Sequence, residues 1–151
     1  MSLEQWLQNG WLQKHNPTLP EIHKLFQIVD RDLSDAEVEG LSADGKFEHA
    51  YDAALQLCMI PLTACGYKVP KGSGKHKRVI ESLSSTLGHK WIDPSEYLER
   101  CSRLRGQAIY DRINAVSKND ANDLLLTAKQ LRTDVIEWLK VNYSAFVPLG
   151  I

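Results

Sequence analysis

Long apolar stretches are absent from this chain of 151 residues. No run reaches the roughly 18 apolar residues that a membrane-spanning helix needs. The first fifteen residues also lack the basic start and apolar block of a signal peptide. Cysteine is scarce, since Cys58, Cys65 and Cys101 are the only three, and their spacing fits no metal-ligand pattern. We therefore expect free thiols in a reducing cytoplasm, no disulfide framework and no membrane association.

The chain also lacks a net charge of one sign. Eighteen basic and nineteen acidic side chains give a formal charge of −1, which excludes a generic polycation that coats nucleic acid. The charge is nevertheless uneven: residues 1–60 carry a net −6, residues 61–112 a net +5, and residues 113–151 none. The densest basic stretch, residues 68–78, contains no acid. This stretch is either a solvated loop that balances the acidic front half or a contact for phosphate.

Alternation of apolar and polar residues, which is typical of strands, is missing, and so are internal repeats. Apolar residues recur instead at helical spacing over residues 3–12, 22–33, 47–65, 79–87, 97–116 and 121–139. Together with a length that suits one domain, this pattern predicts an all-α bundle of about six helices. We divide it into an N-terminal helical extension (residues 1–45), a bundle (46–142) and a C-terminal tail (143–151).

Several residues predict where the helices begin and end. Thr18 before Pro20, Asp93 before Pro94, and either Ser117 or Asn119 have the character of N-caps. Gly66 suits the left-handed residue after a helix. Three further features predict interruptions: a capping-box pattern at Ser34, a proline at position 61 inside the third helix, and the loop of residues 68–75.

Two arginines lie on the apolar stripe of the helix over residues 93–116. On an ideal helix Arg105 and Arg112 both fall within about 40° of Cys101, among residues that should face the core. A buried guanidinium needs a partner. Three explanations remain open: ion pairs with acids of the front half such as Glu48 or Asp52, side chains whose heads reach solvent, or a polar cleft.

A glycine in the middle of the same helix suggests a close approach on its opposite side. Gly106 costs roughly 1 kcal/mol relative to alanine, and it shares a face with Tyr110 and Ile113. Packing of a second backbone would offset this cost. We therefore predict a homodimer whose interface includes Gly106 and Ile113.

Residues 103–111 (RLRGQAIYD) resemble the signature helix of HEPN domains, helical domains common in prokaryotic toxin–antitoxin and defence systems. The AYDAAL segment at residues 50–55, the Gly66-Tyr67 turn before the basic residues 75–78, and the final helix ending at Leu139 are also similar to that family. The resemblance covers about residues 47–140. It implies an up-and-down bundle, so that we expect five to six helices in all, and it implies a dimer.

Many HEPN proteins are metal-independent ribonucleases, and their signature is an arginine followed at short distance by a histidine. The arginine corresponds to Arg105, but Gly106 stands where a polar residue is usual and Tyr110 stands where the histidine is expected. A phenol that titrates near pH ~10 is a poor base at neutrality. On an ideal helix Arg105 and Tyr110 also point about 140° apart.

Two functions follow from this resemblance. In the first, the protein binds or cleaves RNA or nucleotide phosphates: Arg105 and Tyr110 form the altered ribonuclease site, and other cationic side chains hold phosphate. In the second, it is a non-catalytic partner of a nucleotidyltransferase or another protein, and the arginines serve only in ion pairs. The phosphate contacts expected for the first function are Arg103, Arg112, Lys75 and His76.

Metal chemistry is not expected. None of the five histidines is paired at i, i+4 with a second ligand, so we predict no metal site and no cofactor. His76 is the exception of interest, because it adjoins Lys75 and Lys77. It is either an exposed loop histidine or a proton donor that folding brings close to Arg105.

Overall fold

The computed structural model describes residues 2–110 and 114–151, with the backbone alone for residues 108–110. The protein is an all-α bundle, as the periodicity predicted. No helix in these ranges is long and apolar enough to cross a membrane. Its elements are α1 (Leu3–Gln8), β1 (Gln13–Lys14), α2 (Leu19–Ala36), α3 (Ala43–Ala64), β2 (Tyr67–Lys68), α4 (Lys75–Glu81), α5 (Leu83–Thr86), α6 (Ile92–Tyr110) and α7 (Lys118–Asn142), with 3₁₀ turns at His89–Trp91 and Ser144–Phe146.

The central element is α3, which packs along α2 and α7 and also touches α4 and α6. It is buried on nearly all sides because alanines at positions 50, 53 and 54 let its neighbours approach closely. One stripe of α3 stays partly exposed, and it carries Glu48, His49 and Asp52. The apolar residues of α1 and α2 join the same core as the rest of the chain. This arrangement leaves the polar stripe of α3 facing α2 on one side and α6 on the other.

Three predicted helix boundaries are confirmed. The Thr18 hydroxyl accepts a hydrogen bond from the Glu21 amide at the start of α2. Ser117, rather than Asn119, caps α7 and forms a reciprocal capping box with Asp120. Gly66 has a φ of +88°, the left-handed conformation expected after α3.

Other predictions were wrong in detail. Ser34 does not interrupt α2, which continues to Ala36, because the apolar face of the helix extends beyond it. Pro61 does not break α3, which continues through it to Ala64 and loses only the one hydrogen bond from position 61 to the Leu57 carbonyl. Asp93 is not an N-cap, since α6 begins at Ile92 directly after a 3₁₀ turn.

A small sheet was also missed. Gln13–Lys14 and Tyr67–Lys68 pair as two antiparallel strands of two residues each, too short to produce a visible alternation in the sequence. The pairing continues where the His15 amide donates to the Gly66 carbonyl over 2.9 Å. It ties the segment after α1 to the start of the basic loop. In the C-terminal tail, Phe146 and Val147 pack against the core.

Candidate functional site

The side chain of Arg105 projects from α6 towards the polar stripe of α3. Its Nε and Nη2 donate to the same oxygen of Glu48, Oε1, at 3.1 and 2.8 Å. The closest oxygen of Asp52 is 3.9 Å from Nη2. Of the three explanations left open by the sequence, ion pairing with Glu48 and Asp52 is therefore observed for Arg105. The Arg105 side chain is only 23% exposed.

The pairing of Arg105 is incomplete on both partners. Glu48 Oε2 is buried and has no hydrogen-bond partner among the described residues, an arrangement that carries a desolvation cost. On the guanidinium, Nη1 makes no hydrogen bond within the same residues. A guanidinium has five N–H donors. Arg105 therefore keeps donors for an anion even while Glu48 is bound.

Burial is the main cause that raises the pKa of the Asp52 carboxyl, and the neighbouring Glu48 carboxylate raises it further. The positive charge of Arg105 opposes both effects without cancelling them. A carboxyl with a raised pKa sheds negative charge more easily when another anion approaches. Asp52 can therefore tolerate a phosphate near Arg105 better than an ordinary aspartate would.

Tyr51 of α3 contacts both Arg105 of α6 and His76 of α4. Its ring is buried, and the Arg105 guanidinium carbon lies 5.2 Å from the ring centroid, within range of a cation–π contact. The phenolic hydroxyl donates to Ser102 Oγ at 3.1 Å and lies 3.2 Å from His76 Nδ1. Because the single phenolic proton is donated to Ser102, the contact with His76 needs the Nδ1–H of the imidazole to donate to the tyrosine oxygen. In that tautomer Nε2 of His76 is an unprotonated acceptor.

His76 lies in the first turn of α4 and is exposed, while its Nδ1 edge meets Tyr51. Partial burial lowers its pKa below the ordinary value of 6.5, and the positive charges of Arg105 and Lys75 lower it further. The imidazole is therefore neutral at pH 7. Folding thus places a neutral histidine and a guanidinium on two sides of one phenol. The sequence left open whether folding brings His76 near Arg105, and in the structure both side chains contact Tyr51.

The structure says less about the other predicted site residues. Arg103 is exposed, and Lys75 is half-buried; neither is in an ion pair with any residue of the described ranges. Arg112 and Ile113 lie outside the described residues, and for Tyr110 only the backbone, at the end of α6, is described.

Gly106 faces open space. A Cβ added there would meet no described atom within 4 Å, so no element of the same chain approaches it closely. The close approach that the sequence suggested is therefore not intramolecular in the described part of the protein. A second copy as the packing partner stays a prediction.

Sequence reasoning missed two members of this cluster, Tyr51 and Ser102. Tyr51 belongs to the apolar stripe of α3 and was interpreted as core, which is true of its ring but not of its hydroxyl. Ser102 precedes the signature-like segment of residues 103–111, and no pattern in the sequence marks it as a site residue. The sequence did contain one indication for Tyr51. It lies three residues after Glu48 and one before Asp52, so its hydroxyl falls at the border between the core and the polar stripe of α3.

A second polar cluster lies beside the first, where α2 meets α3. The ligand-capable atoms of Asp32, Asp35 and His49 all lie within 4.8 Å of one another, although no metal site was expected. The neighbouring Arg31 donates to the buried Asp32 at 3.3 Å, and His49 Nδ1 is 3.8 Å from the same oxygen. The Arg31 guanidinium already supplies positive charge to Asp32.

Comparisons with family models, with curated proteins and with solved structures find no match to this chain.

Proposed function

We propose that this chain is a HEPN-like protein that binds the phosphates of RNA at the cluster of Arg105, His76 and Tyr51, and that this cluster is an altered ribonuclease site. The observation that carries the proposal is that Tyr51 contacts both groups: a neutral imidazole from α4 meets its hydroxyl, and a guanidinium from α6 lies against its ring. These are the two groups that metal-independent RNA cleavage requires, one to hold phosphate and one to move a proton.

In this proposal His76 takes the part of the histidine that Tyr110 replaces in the signature helix. Nε2 of His76 accepts the proton of a ribose 2′-hydroxyl, and the 2′-oxygen forms a bond to the adjacent phosphorus. The bond from phosphorus to the 5′-oxygen breaks, and that oxygen takes up a proton from water. The free N–H donors of Arg105 hold the non-bridging oxygens, where negative charge increases in the transition state.

Glu48 opposes this function, because it occupies part of Arg105. The phosphate must either bind at the edge that Glu48 leaves open or displace the carboxylate, whose second oxygen has no hydrogen-bond partner among the described residues. We therefore expect slow cleavage and measurable binding, rather than a fast enzyme. In the homodimer that we propose, α6 packs against its copy through Gly106 and Ile113, on the side of the helix opposite the Arg105 stripe. Arg103 of α6 and Arg112, which lies outside the described residues, are the further phosphate contacts in this proposal.

The test is incubation of labelled single-stranded RNA with the protein in the presence of EDTA, followed by gel analysis. Wild-type protein is expected to cleave RNA slowly, and Arg105→Ala and His76→Ala are expected to lose that activity. His89→Ala is the matched control, because His89 is also exposed and lies outside the cluster. Cleavage that survives both substitutions would remove these residues from the site. Absence of both cleavage and binding in wild type would end the proposal.

A second candidate is favoured by the Arg105–Glu48 pair itself. Two hydrogen bonds to a carboxylate are what a purely structural arginine makes. In that case the protein is a non-catalytic partner subunit, for example of a nucleotidyltransferase. The two candidates differ for Glu48→Gln: a structural pair predicts lower stability with no change in RNA binding, whereas the phosphate site predicts tighter binding.

A further inference from the structure

A cavity of about 340 Å³ lies on a different face of α4 from His76. Its walls are the basic loop before α4, the side chains that α4 directs towards α1, and the ring of Trp11. That volume is within the range of small-ligand pockets. The side chains that matter for binding are Trp11, Lys71, Lys75, Lys77, Arg78 and Glu81.

The guanidinium of Arg78 is held in place by two tryptophans. Its central carbon is 4.0 Å from the centroid of the Trp11 ring and 5.4 Å from that of Trp6. The two rings meet edge to face, with centroids 6.0 Å apart. Such stacking orders a side chain that would otherwise lose considerable entropy on binding a ligand. Arg78 is therefore organised before any ligand arrives.

The positive charge around this cavity is largely uncompensated. Among the described residues, Arg78, Lys71 and Lys75 make no ion pair and no side-chain hydrogen bond. Lys77 alone has an acidic partner, Glu81, at 3.8 Å. Three cations that are in no ion pair among the described residues repel one another across this concave surface, whose one acid, Glu81, is paired with Lys77, and a bound anion would relieve that repulsion.

The cavity is separate from the Arg105 cluster. His76 and Arg78 are two residues apart on α4, so their side chains point about 160° apart around the helix. His76 meets Tyr51 of α3, whereas Arg78 meets Trp11 of the segment after α1. A ligand in the cavity therefore does not depend on Arg105, and an RNA strand that reached both would have to pass around α4.

We propose that this cavity is a second anion site, which takes a phosphate group through the Arg78 guanidinium and the amines of Lys71 and Lys75. Arginine held flat on an aromatic ring still presents its N–H edge, and two of its donors can engage one phosphate. The same chemistry is offered by a free nucleotide and by the backbone of RNA. The inference stands on the cavity alone and does not require the function proposed above.

The experiment measures binding of ADP and of a single-stranded RNA octamer at constant ionic strength, with tryptophan fluorescence as the readout because Trp11 lies against Arg78. We expect saturable binding of at least one of the two ligands. Arg78→Gln and the double variant Lys71→Gln/Lys75→Gln are expected to weaken it about tenfold or more, as loss of charge-assisted hydrogen bonds implies. Lys90→Gln, an exposed lysine on another surface, is the control and should bind as wild type does.

The outcomes separate this site from the Arg105 cluster. The double variant covers the case in which Arg78→Gln unfolds the tryptophan pair, since the two lysines lie in the loop and in the first turn of α4. ADP binding that persists in Arg105→Ala supports the second site even if RNA cleavage is never seen. Absence of saturation by both ligands at millimolar concentration overturns the inference. Binding that the loop variants leave unchanged and Arg105→Ala abolishes also overturns it, while leaving the proposed function intact.

Discussion

The ion pair of Arg105 and Glu48 determines the chemistry of the candidate site at the scale of single residues. Both side chains are about three-quarters buried. One carboxylate oxygen of Glu48 accepts two hydrogen bonds, and the other accepts none from the part of the chain that the structure describes. Desolvation reduces the net contribution of such a pair to stability, but removing one partner leaves the other charge buried without a counter-charge. A substitution at Glu48 should therefore lower stability but strengthen phosphate binding, whereas a substitution at Arg105 should weaken phosphate binding.

We predict that Glu48→Gln lowers the free energy of unfolding by about 1–2 kcal/mol, because a charge-assisted pair of hydrogen bonds becomes a neutral one. The same substitution frees positive charge on Arg105 and should tighten RNA binding. Urea denaturation and fluorescence anisotropy measure the two quantities. Equal or weaker RNA binding by Glu48→Gln would indicate that Arg105 is only structural.

The titration of His76 gives a second prediction at this scale. Its pKa is lowered first by burial and then by Arg105 and Lys75, so protons bind the unfolded chain more readily than the folded one. Stability should therefore rise with pH over the window just below 6.5 and level off above it. In Arg105→Ala the pKa of His76 should move up towards its ordinary value. An NMR titration of the imidazole protons checks this, and an unchanged midpoint would contradict the proximity of the two groups.

Most helices were predictable from the sequence, but several of their ends were not. The period of apolar residues identified α2, α3 and α7, because one apolar face of each packs against the core. Local signals such as the Ser34 capping pattern and Asp93-Pro94 misled, since packing outweighs the small free energies of caps. The candidate site was half predictable: Arg105 and its acidic partners followed from burial and charge. The contact of Tyr51 with His76 depends on how α4 docks against α3.

Ser117 caps a helix in the structure, whereas Ser34 only has the sequence pattern of a cap, and this difference gives a prediction about helix ends. Ser117→Ala removes a capping box at the start of α7 and should cost about 1 kcal/mol of stability. Ser34→Ala changes an exposed serine inside α2, where alanine is the better helix former, and should be neutral or slightly stabilising. Thermal unfolding of both variants tests the assignment. Similar losses in the two would mean that α2 ends where the sequence pattern suggested.

For the whole molecule, the open face of α6 around Gly106 is the structural basis for the predicted dimer. In the described chain this glycine has no neighbour that requires it. Its cost of roughly 1 kcal/mol to the helix is therefore unexplained by the monomer. A second copy packed on this face would offset that cost.

We predict that wild-type protein is a dimer, that Gly106→Leu shifts it towards monomer, and that Gly106→Ala leaves the fold intact with equal or higher thermal stability. The reason is that Leu blocks close approach of a second backbone, whereas the added Cβ of Ala meets open space within one chain. Analytical ultracentrifugation and thermal unfolding measure both effects. A monomeric parent, or a dimer unaltered by Gly106→Leu, would exclude this interface.

The most direct test of the phosphate site is the affinity of single-stranded RNA for wild type, Arg105→Ala, His76→Ala and the control Arg132→Ala, measured by anisotropy at two salt concentrations. Arg132 is a suitable control because it is ion-paired with Asp30 on the α2–α7 side of the bundle. We predict that the first two substitutions weaken binding about tenfold, that Arg132→Ala does not, and that binding falls as salt rises. Equal affinity in all four proteins would contradict the placement of an RNA phosphate at Arg105.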